Sequence, residues 1–202
     1  GSPMPFFRSK AVGAPDFLIV GLGNPGKEYA DTRHNAGCLA LEELARRVNA
    51  TPNRLRFKGQ CGEATIGDRR VLLLFPLTFM NNSGEAVSEA MRFYKLTPDR
   101  LLVLSDDISL PVGAVRIRRK GSDGGQRGLR SIITLIGSSE FARIKIGVGQ
   151  KPYPDYDLAA WVLSRFTAAE RPLLDTALKN AADAACLIAQ GRADEAMDRF
   201  SH

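Results

Sequence analysis

The sequence contains few cysteines and fewer histidines, which narrows the chemistry it can support. Its three cysteines are widely separated and form no C-x-x-C pair, a pattern that argues against a disulfide framework and a zinc cluster. We therefore expect a reduced, cytoplasmic protein without a metal site. The two histidines are His34 and His202, and His202 is the last residue of the chain. Any histidine chemistry must centre on His34.

Long apolar runs are also absent, and no segment resembles a membrane span or a signal peptide. A length of 202 residues, with 44% hydrophobic and 25% charged residues, is typical of one soluble globular domain. We assign residues 1–15 to an expression scar with a flexible N-terminal extension, and residues 16–202 to a single domain that carries the function. We expect a monomer with no membrane partner and no obligate protein partner.

Negative charge is scarce in one part of the chain. Between Pro111 and Lys151 there are nine Lys or Arg residues and two acidic ones, so this segment carries a net charge of +7 in a chain whose total is +6. The concentration of positive charge favours an anionic partner, with nucleic acid the first candidate. A solvated basic face is the structural alternative, and charge alone does not separate the two.

Hydrophobic periodicity predicts alternating strands and helices without internal repeats. Short apolar runs predict strands at 16–23, 62–66, 71–75, 101–105, 115–119 and 143–148. Helical spacing of apolar residues predicts helices after 34, from 83, over 126–136 and after a capping box at 167–170. This alternation predicts an α/β fold with three α/β/α layers around a twisted, mixed central sheet, and a site at the carboxyl ends of its strands.

The first predicted strand ends in a glycine-rich stretch with the G-x-G-x-x-G spacing of dinucleotide-binding proteins, at Gly21, Gly23 and Gly26. Pro25 biases Asn24 away from helical geometry, so the third glycine belongs to a turn and not to a helix. The acidic residues that follow at 42 and 43 lie in a helical pattern, where a dinucleotide site requires a strand end. A nucleotide cofactor is therefore not expected.

Four polar side chains are predicted to meet at the sheet edge: Asn24, His34, Asn81 and Asp106. Each follows a predicted strand or precedes a predicted helix. A neutral histidine can take a proton from water near pH 7, and a carboxylate on its other ring nitrogen fixes the tautomer. The amides of the two asparagines can donate to a carbonyl oxygen or to a developing oxyanion.

Each of these residues also has a structural interpretation. His34 can brace a helix start, the asparagines can serve a turn or a helix N-cap, and Asp106 can close a strand-end turn. Cys38 is most simply a small core residue. A serine triad built on His34 is possible but has no support among its candidates Ser105, Ser122 and Ser131. On the residues alone these alternatives stay open.

Four stretches carry a more specific signal: "FLIVGLGNPGKEYADTRHNAG", "FPLTFMNNSGEAV", "LLVLSDDISLPVGAVRIRRKGSDGGQRGLRSI" and "FARIKIGVGQ". In order and spacing they resemble the bacterial-type peptidyl-tRNA hydrolase family, from about Phe17 to the capping box at Thr167. The pairing of G-x-x-N-P-G-x-x-Y-x-x-T-R-H-N with T-F-M-N-x-S-G is highly specific. The resemblance implies hydrolysis of the ester between a peptide and the terminal ribose of tRNA, which recycles tRNA for translation and ribosome rescue.

For the reaction itself, the resemblance implies that His34 is the catalytic base and Asp106 its partner. It implies that Asn24 and Asn81 bind and polarise the substrate near the ester. It further implies that the reaction needs no metal ion and no organic cofactor.

For substrate binding, the resemblance implies that Tyr29, Asn35 and Met80 line the same pocket. It places a clamp for the 5′-phosphate of tRNA at Arg118 and Lys145, inside the basic segment. The expected partner is thus peptidyl-tRNA, held by its acceptor stem and CCA end.

The sequence departs from the family in the glycine-rich stretch, where Gln126-Arg127 stand in place of the usual His-Asn. The substrate contact of the family's asparagine cannot be carried over, so Arg127 becomes a candidate for a phosphate of the CCA end or an addition to the basic rim. Ser109 likewise replaces a usual aspartate. The segment "KPYPDYD" is short for the loop that often borders the cleft.

Two other function classes remain. A non-catalytic RNA-binding protein could retain this fold and the basic segment, although binding alone requires no base with an oriented partner. A serine or cysteine hydrolase is the weaker alternative. Insensitivity to thiol and serine reagents would exclude it.

Overall fold

A computed structural model describes residues 13–201 of the chain. Residues 1–12, which make up most of the predicted N-terminal extension, and His202 lie outside the described residues. The domain boundary at residue 16 stays a prediction. Within 13–201, no helix combines the length and apolar character that a membrane crossing requires.

The described chain forms one seven-stranded mixed sheet, as the alternating pattern predicts. Its strands are β1 (Phe17–Gly21), β2 (Arg54–Arg56), β3 (Gly59–Ile66), β4 (Arg69–Pro76), β5 (Leu101–Asp107), β6 (Val115–Arg118) and β7 (Ala142–Gly147). Their order is β2-β3-β4-β1-β5-β7-β6. The central strands β4, β1, β5 and β7 run parallel, whereas β2, β3 and β6 pair antiparallel with their neighbours. The carboxyl ends of the central strands therefore share one edge.

Residues 13–201 contain six α-helices: α1 (Ala36–Arg47), α2 (Ser83–Tyr94), α3 (Arg127–Ile136), α4 (Leu158–Val162), α5 (Arg171–Ala189) and α6 (Ala193–Phe200). All of them except α4 pack on one or the other face of the sheet. One core cluster contains Ile19 with apolar residues of α1, α5 and α6. The other contains Leu18 and Val20 with residues of α2 and α3. Neighbours along β1 thus point into opposite cores, which confirms the three-layer fold.

Local signals in the sequence agree with the structure at two turns. The hairpin of β3 and β4 closes through Gly67-Asp68, and Gly67 has a φ of +60°. The capping box is formed in both directions, since Thr167 N–H donates to Glu170 Oε1 at 2.8 Å and Glu170 N–H donates to Thr167 Oγ1 at 3.2 Å. The strand β2 and the helices α4 and α6 were not predicted.

The glycine-rich stretch serves close packing. A Cβ at Gly21 would lie 2.7 Å from the carbonyl oxygen of Gly37, and a Cβ at Gly37 would lie 2.2 Å from that of Leu104. The first turn of α1 therefore approaches the ends of β1 and β5 as closely as backbone allows. Gly26 has a φ of +113° in the following turn. This approach brings the residues just before α1 beside the end of β5.

Candidate active site

The four predicted polar residues converge on one cleft of about 570 Å³ at the carboxyl edge of the sheet. Asn24 follows β1 and Asp106 is the last residue but one of β5, whereas His34 and Asn81 lie on single 3₁₀ turns that precede α1 and α2. Further residues line the cleft: Phe79, Met80, Ser105, Asp107, Ile108, Asp123, Gly124, Gly125, Gln126, Arg127, Leu129, Lys145, Asp157, Leu158, Ala159, Val162 and Leu163.

His34 and Asp106 form a buried hydrogen-bonded pair. His34 Nδ1 lies 2.8 Å from Asp106 Oδ2, and the side chains are 14% and 3% exposed. Burial lowers the pKa of His34, but the charge and the hydrogen bond of Asp106 outweigh burial, so the pKa is raised above 6.5. Because a carboxylate accepts, the neutral ring carries its proton on Nδ1 and keeps Nε2 as an acceptor. No described protein atom bonds to Nε2.

The second oxygen of Asp106 is held by a residue that sequence reasoning did not assign to the site. Gln126 Nε2 donates to Asp106 Oδ1 at 3.0 Å, while Gln126 Oε1 accepts from Leu129 N–H at 2.8 Å and caps α3. Gln126, which stands where the family usually has histidine, thus places a donor on the carboxylate. The signal in the sequence was the departure itself.

Asn24 is oriented by its neighbours. Its Oδ1 accepts from Met80 N–H at 2.7 Å, and its backbone exchanges bonds of 2.9 and 3.0 Å with the side chain of Asn35. Asn24 Nδ2 has no acceptor among the described protein atoms. Asn35 is not among the residues that line the cleft; its amide oxygen and one amide N–H bond to the Asn24 backbone. It faces a neighbouring groove instead.

The other predicted pocket residues divide into two groups. Met80 is buried and lines the cleft beside the exposed Asn81. Tyr29 is not among the residues that line the cleft. Its ring meets the ring of Phe79 edge-on, with 6.4 Å between centroids, and Phe79 forms part of the wall. Tyr29 therefore supports the wall from behind.

The basic segment surrounds one end of the cleft. Arg127 and Lys145 line it, whereas Arg118 is exposed on the neighbouring edge strand β6. The pKa of Lys145 is lowered, first by burial, which outweighs the charge of Asp107, and then by nearby arginines that include Arg118. A partly buried ammonium group beside other cations favours an anionic ligand.

Arg143 is the exception in that segment. It is fully buried on β7, and its guanidinium donates to the carbonyl oxygens of Gly121, Ser122, Ser139 and Phe141 at 2.7 to 3.3 Å. Burial lowers its pKa. This guanidinium holds the loop at Gly121 and Ser122 and is not available to an external anion. Eight of the nine basic residues of the segment therefore remain as candidates to bind an anion.

One wall of the cleft is apolar and is anchored next to the base. Helix α4 and Leu163 form this wall. Arg33, the neighbour of His34, donates to the Glu170 carboxylate at 2.8 and 3.0 Å. It also donates to Ser164 Oγ at 2.9 Å and to the Val148 carbonyl at 2.8 Å. Its guanidinium carbon lies 3.8 Å from the centroid of the Trp161 ring, which belongs to α4. The sequence analysis did not single out Arg33.

Of the alternative nucleophiles, Cys38 and Ser131 are hydrogen-bonded elsewhere, whereas Ser105 Oγ is buried without a hydrogen-bond partner among the described residues. Cys38 Sγ lies 3.4 Å from the Gly21 carbonyl outside the cleft, and burial raises the pKa of its thiol. Ser131 Oγ accepts from Gly84 N–H at 2.8 Å at the start of α2, and Ser105 is fully buried. Neither a serine nor a cysteine is hydrogen-bonded to His34 among residues 13–201. In the same range, no group of three or more His, Cys, Asp or Glu residues is placed to share a metal ion.

Known proteins match both this chain and this fold. The family model described as "Peptidyl-tRNA hydrolase" matches residues 18–202. The chain belongs to the peptidyl-tRNA hydrolase family. It is 45% identical to the peptidyl-tRNA hydrolase of Finegoldia magna, with coverage of 92% of this chain and 97% of the relative. It is 47% identical to that of Agathobacter rectalis, with coverage of 92% and 100%. The crystal structure of peptidyl-tRNA hydrolase from Acinetobacter baumannii has a TM-score of 0.86 and 35% identity, covering 94% of this chain and 98% of that one.

Proposed function

We propose that this protein is a peptidyl-tRNA hydrolase that cleaves the ester between a peptide, or an N-blocked aminoacyl group, and the 3′-terminal ribose of tRNA. Family membership supplies the reaction class. The observation that carries the proposal is the His34–Asp106 pair, which leaves Nε2 unbonded by described protein atoms at a cleft with a basic end.

His34 acts as the general base in this proposal. Nε2 takes a proton from water, and the hydroxide attacks the ester carbonyl carbon. Asp106 stabilises the imidazolium that forms. The tetrahedral intermediate then collapses, the bond from carbon to the ribose oxygen breaks, and the imidazolium returns its proton to the leaving 3′-oxygen. The products are the free carboxylate of the peptide and tRNA, and the reaction proceeds without a metal ion or an organic cofactor.

The asparagine amides stabilise the charge that develops on the carbonyl oxygen. Asn24 supports this role because its Oδ1 is bound to Met80 N–H, which fixes the amide and leaves Nδ2 as a donor. Asn81 lies on the same 3₁₀ turn as Met80 and lines the same cleft. A preoriented donor loses little free energy to reorganisation when the oxyanion forms.

The tRNA approaches from the basic end. Lys145 and Arg118 bind its 5′-phosphate, and Arg127 contacts a phosphate of the CCA end. Lys145 and Arg127 support this orientation because they line the cleft, and Arg118 because it lies on the next strand. The peptide then extends from the ester away from these cations. We propose that the protein acts as a cytoplasmic monomer.

The test is release of tRNA from an N-blocked aminoacyl-tRNA with a chelator present, comparing wild type with His34→Ala. We expect turnover by the wild type and a loss of about 10²- to 10⁴-fold in the variant, the usual contribution of a general base. Near-wild-type turnover by His34→Ala would refute the assignment of the base. Binding of tRNA without hydrolysis by the wild type would identify a non-catalytic RNA-binding protein instead.

A further inference from the structure

We infer that Gln126 is a positioning residue for the reaction: its side-chain amide holds the Asp106 carboxylate in the orientation that His34 requires. This inference rests on the proposed function, because it assigns a role within the same active site. Gln126 does not itself touch the reacting atoms in that scheme. It acts through Asp106.

The orientation of the Gln126 amide follows from its two partners. Leu129 N–H is a donor, so the amide oxygen must face it at 2.8 Å. The NH₂ group then faces Asp106 Oδ1 at 3.0 Å and Met80 Sδ at 3.3 Å, and both of these atoms are acceptors. The opposite orientation would place two acceptors together at Asp106 and two donors together at Leu129.

Asp106 needs this donor because it is buried. Its Oδ2 receives the hydrogen bond of His34, and Gln126 Nε2 is the one side-chain or backbone donor to Oδ1 within residues 13–201. A buried carboxylate oxygen without a donor is costly, so the carboxylate turns toward another donor. This rotation weakens or misaligns the bond to His34.

The residue type points to the same role. Ser, Thr, Asp and Asn are the preferred N-caps, and the chain uses Asp157 in that way on α4, where Oδ1 accepts from Ala159 N–H at 3.2 Å. Glutamine is not a preferred cap. Its extra methylene lets one amide cap α3 and reach Asp106 at once, which a shorter side chain could not do. Departures from local preference are concentrated at functional sites.

Three variants separate positioning from capping. Gln126→Ser keeps an oxygen that can cap α3 but cannot reach Asp106. Gln126→Glu keeps both the cap and the length, but presents an acceptor to Asp106 in place of a donor. Gln126→His restores an N–H donor. For each variant we would measure kcat, KM and the melting temperature. For the wild type, Gln126→Ser and Gln126→Glu we would also follow the titration of His34 by proton NMR, in a His202→Ala background that leaves a single histidine signal.

We expect Gln126→Ser to lower kcat about 10- to 100-fold, the range for loss of a hydrogen bond to a charged group, with KM little changed. The melting temperature should fall as well, because a buried carboxylate oxygen loses its donor. Gln126→Glu should lower kcat at least as much and raise the pKa of His34, because it adds a negative charge beside Asp106 while Arg127 is unchanged. Gln126→His should recover most of kcat.

A kcat within twofold of wild type for Gln126→Ser, with an unchanged His34 titration, would reduce Gln126 to a helix cap. If that variant does not fold, full activity of Gln126→Glu overturns the inference equally well. The His34 titration is read without turnover, so this outcome differs from failure of the proposed function, which is an inactive wild type or an active His34→Ala.

Discussion

Replacing Asp106 with asparagine removes a charge and keeps the shape, and the structure predicts which way the new amide turns. Gln126 Nε2 donates to the position of Oδ1, so it selects the amide oxygen there. The NH₂ group at position 106 then takes the place of Oδ2, which in the wild type lies 2.8 Å from His34 Nδ1. His34 must accept at Nδ1 and carry its proton on Nε2, which is the wrong tautomer for a base. We expect kcat to fall about 10²- to 10⁴-fold.

The same variant shifts the titration of His34. In the wild type Asp106 raises the pKa of His34 against burial and against the charge of Arg127. Without the carboxylate, burial and Arg127 remain and both lower it, so proton NMR should show the pKa of His34 falling below 6.5. An unchanged titration together with a kcat within tenfold of the wild type would refute this reasoning.

Linkage gives a second readout of Asp106→Asn. A His34 pKa raised in the folded state stabilises the protein below the unfolded pKa of 6.5, and this contribution is lost as the pH rises through the folded pKa. The difference in free energy of unfolding between wild type and variant should therefore be larger at about pH 5.5 than at about pH 8.5. Equal differences at both pH values would contradict the linkage.

A double variant tests the cause of the loss. Adding Gln126→Glu to Asp106→Asn places an acceptor opposite position 106, which turns the new amide so that its oxygen faces His34 Nδ1. The productive tautomer returns although the carboxylate bonded to His34 does not. We expect the double variant to exceed Asp106→Asn in kcat by about tenfold, a coupling within the range of directly bonded pairs. A double variant no faster than the single one would show that charge, and not orientation, is what Asp106 supplies.

Three further changes test the binding surface and the frame of the site. Arg118→Ala should reduce the magnitude of the slope of log Kd for tRNA against log salt by roughly 0.7 to 0.9, and an unchanged slope would remove Arg118 from the phosphate clamp. Gly37→Ala places a Cβ 2.2 Å from the Leu104 carbonyl, so it should lower stability by about 1–3 kcal/mol in urea titrations and lower kcat as well. Glu170→Gln weakens the partner of the buried Arg33 and should lower stability by about 1.5–3 kcal/mol at neutral pH. Because the pKa of Glu170 is lowered in the folded state, this difference should shrink as the pH falls through that pKa.

Much of the fold could be predicted because its elements carry their own signals. Strand β5 is a continuous apolar run, and the capping box before α5 needs only residues three apart. Strand β2 could not be predicted, because its three residues are two arginines around an exposed Leu55 and show no apolar pattern. It forms because its backbone pairs with the edge of β3. Helix α4 has five residues, which are too few to show the helical periodicity of apolar residues. Its position depends on Trp161 Nε1, which donates to the Gly149 carbonyl at 2.8 Å.

The chemistry of the site was easier to predict than its contacts. Residue types and their places after strands were enough to bring Asn24, His34 and Asp106 together. The partners of a side chain depend on segments distant in sequence, and the sequence did not predict them: Asn35 bonds to the Asn24 backbone, and the acceptors of Arg143 lie on two loops. A count of charges cannot distinguish a buried guanidinium among carbonyl oxygens from an exposed one.

Two adjacent residues of the T-R-H-N motif, Arg33 and His34, bind to different parts of the molecule, and together they connect the cleft wall to the catalytic base. His34 faces Asp106, while Arg33 on the same 3₁₀ turn reaches Glu170 and stacks on Trp161 of α4. A displacement of the wall would therefore displace the 3₁₀ turn that carries His34. Glu170→Gln should accordingly lower kcat even under conditions in which nearly all of the protein is folded. If it lowered stability alone, the wall and the base would be independent.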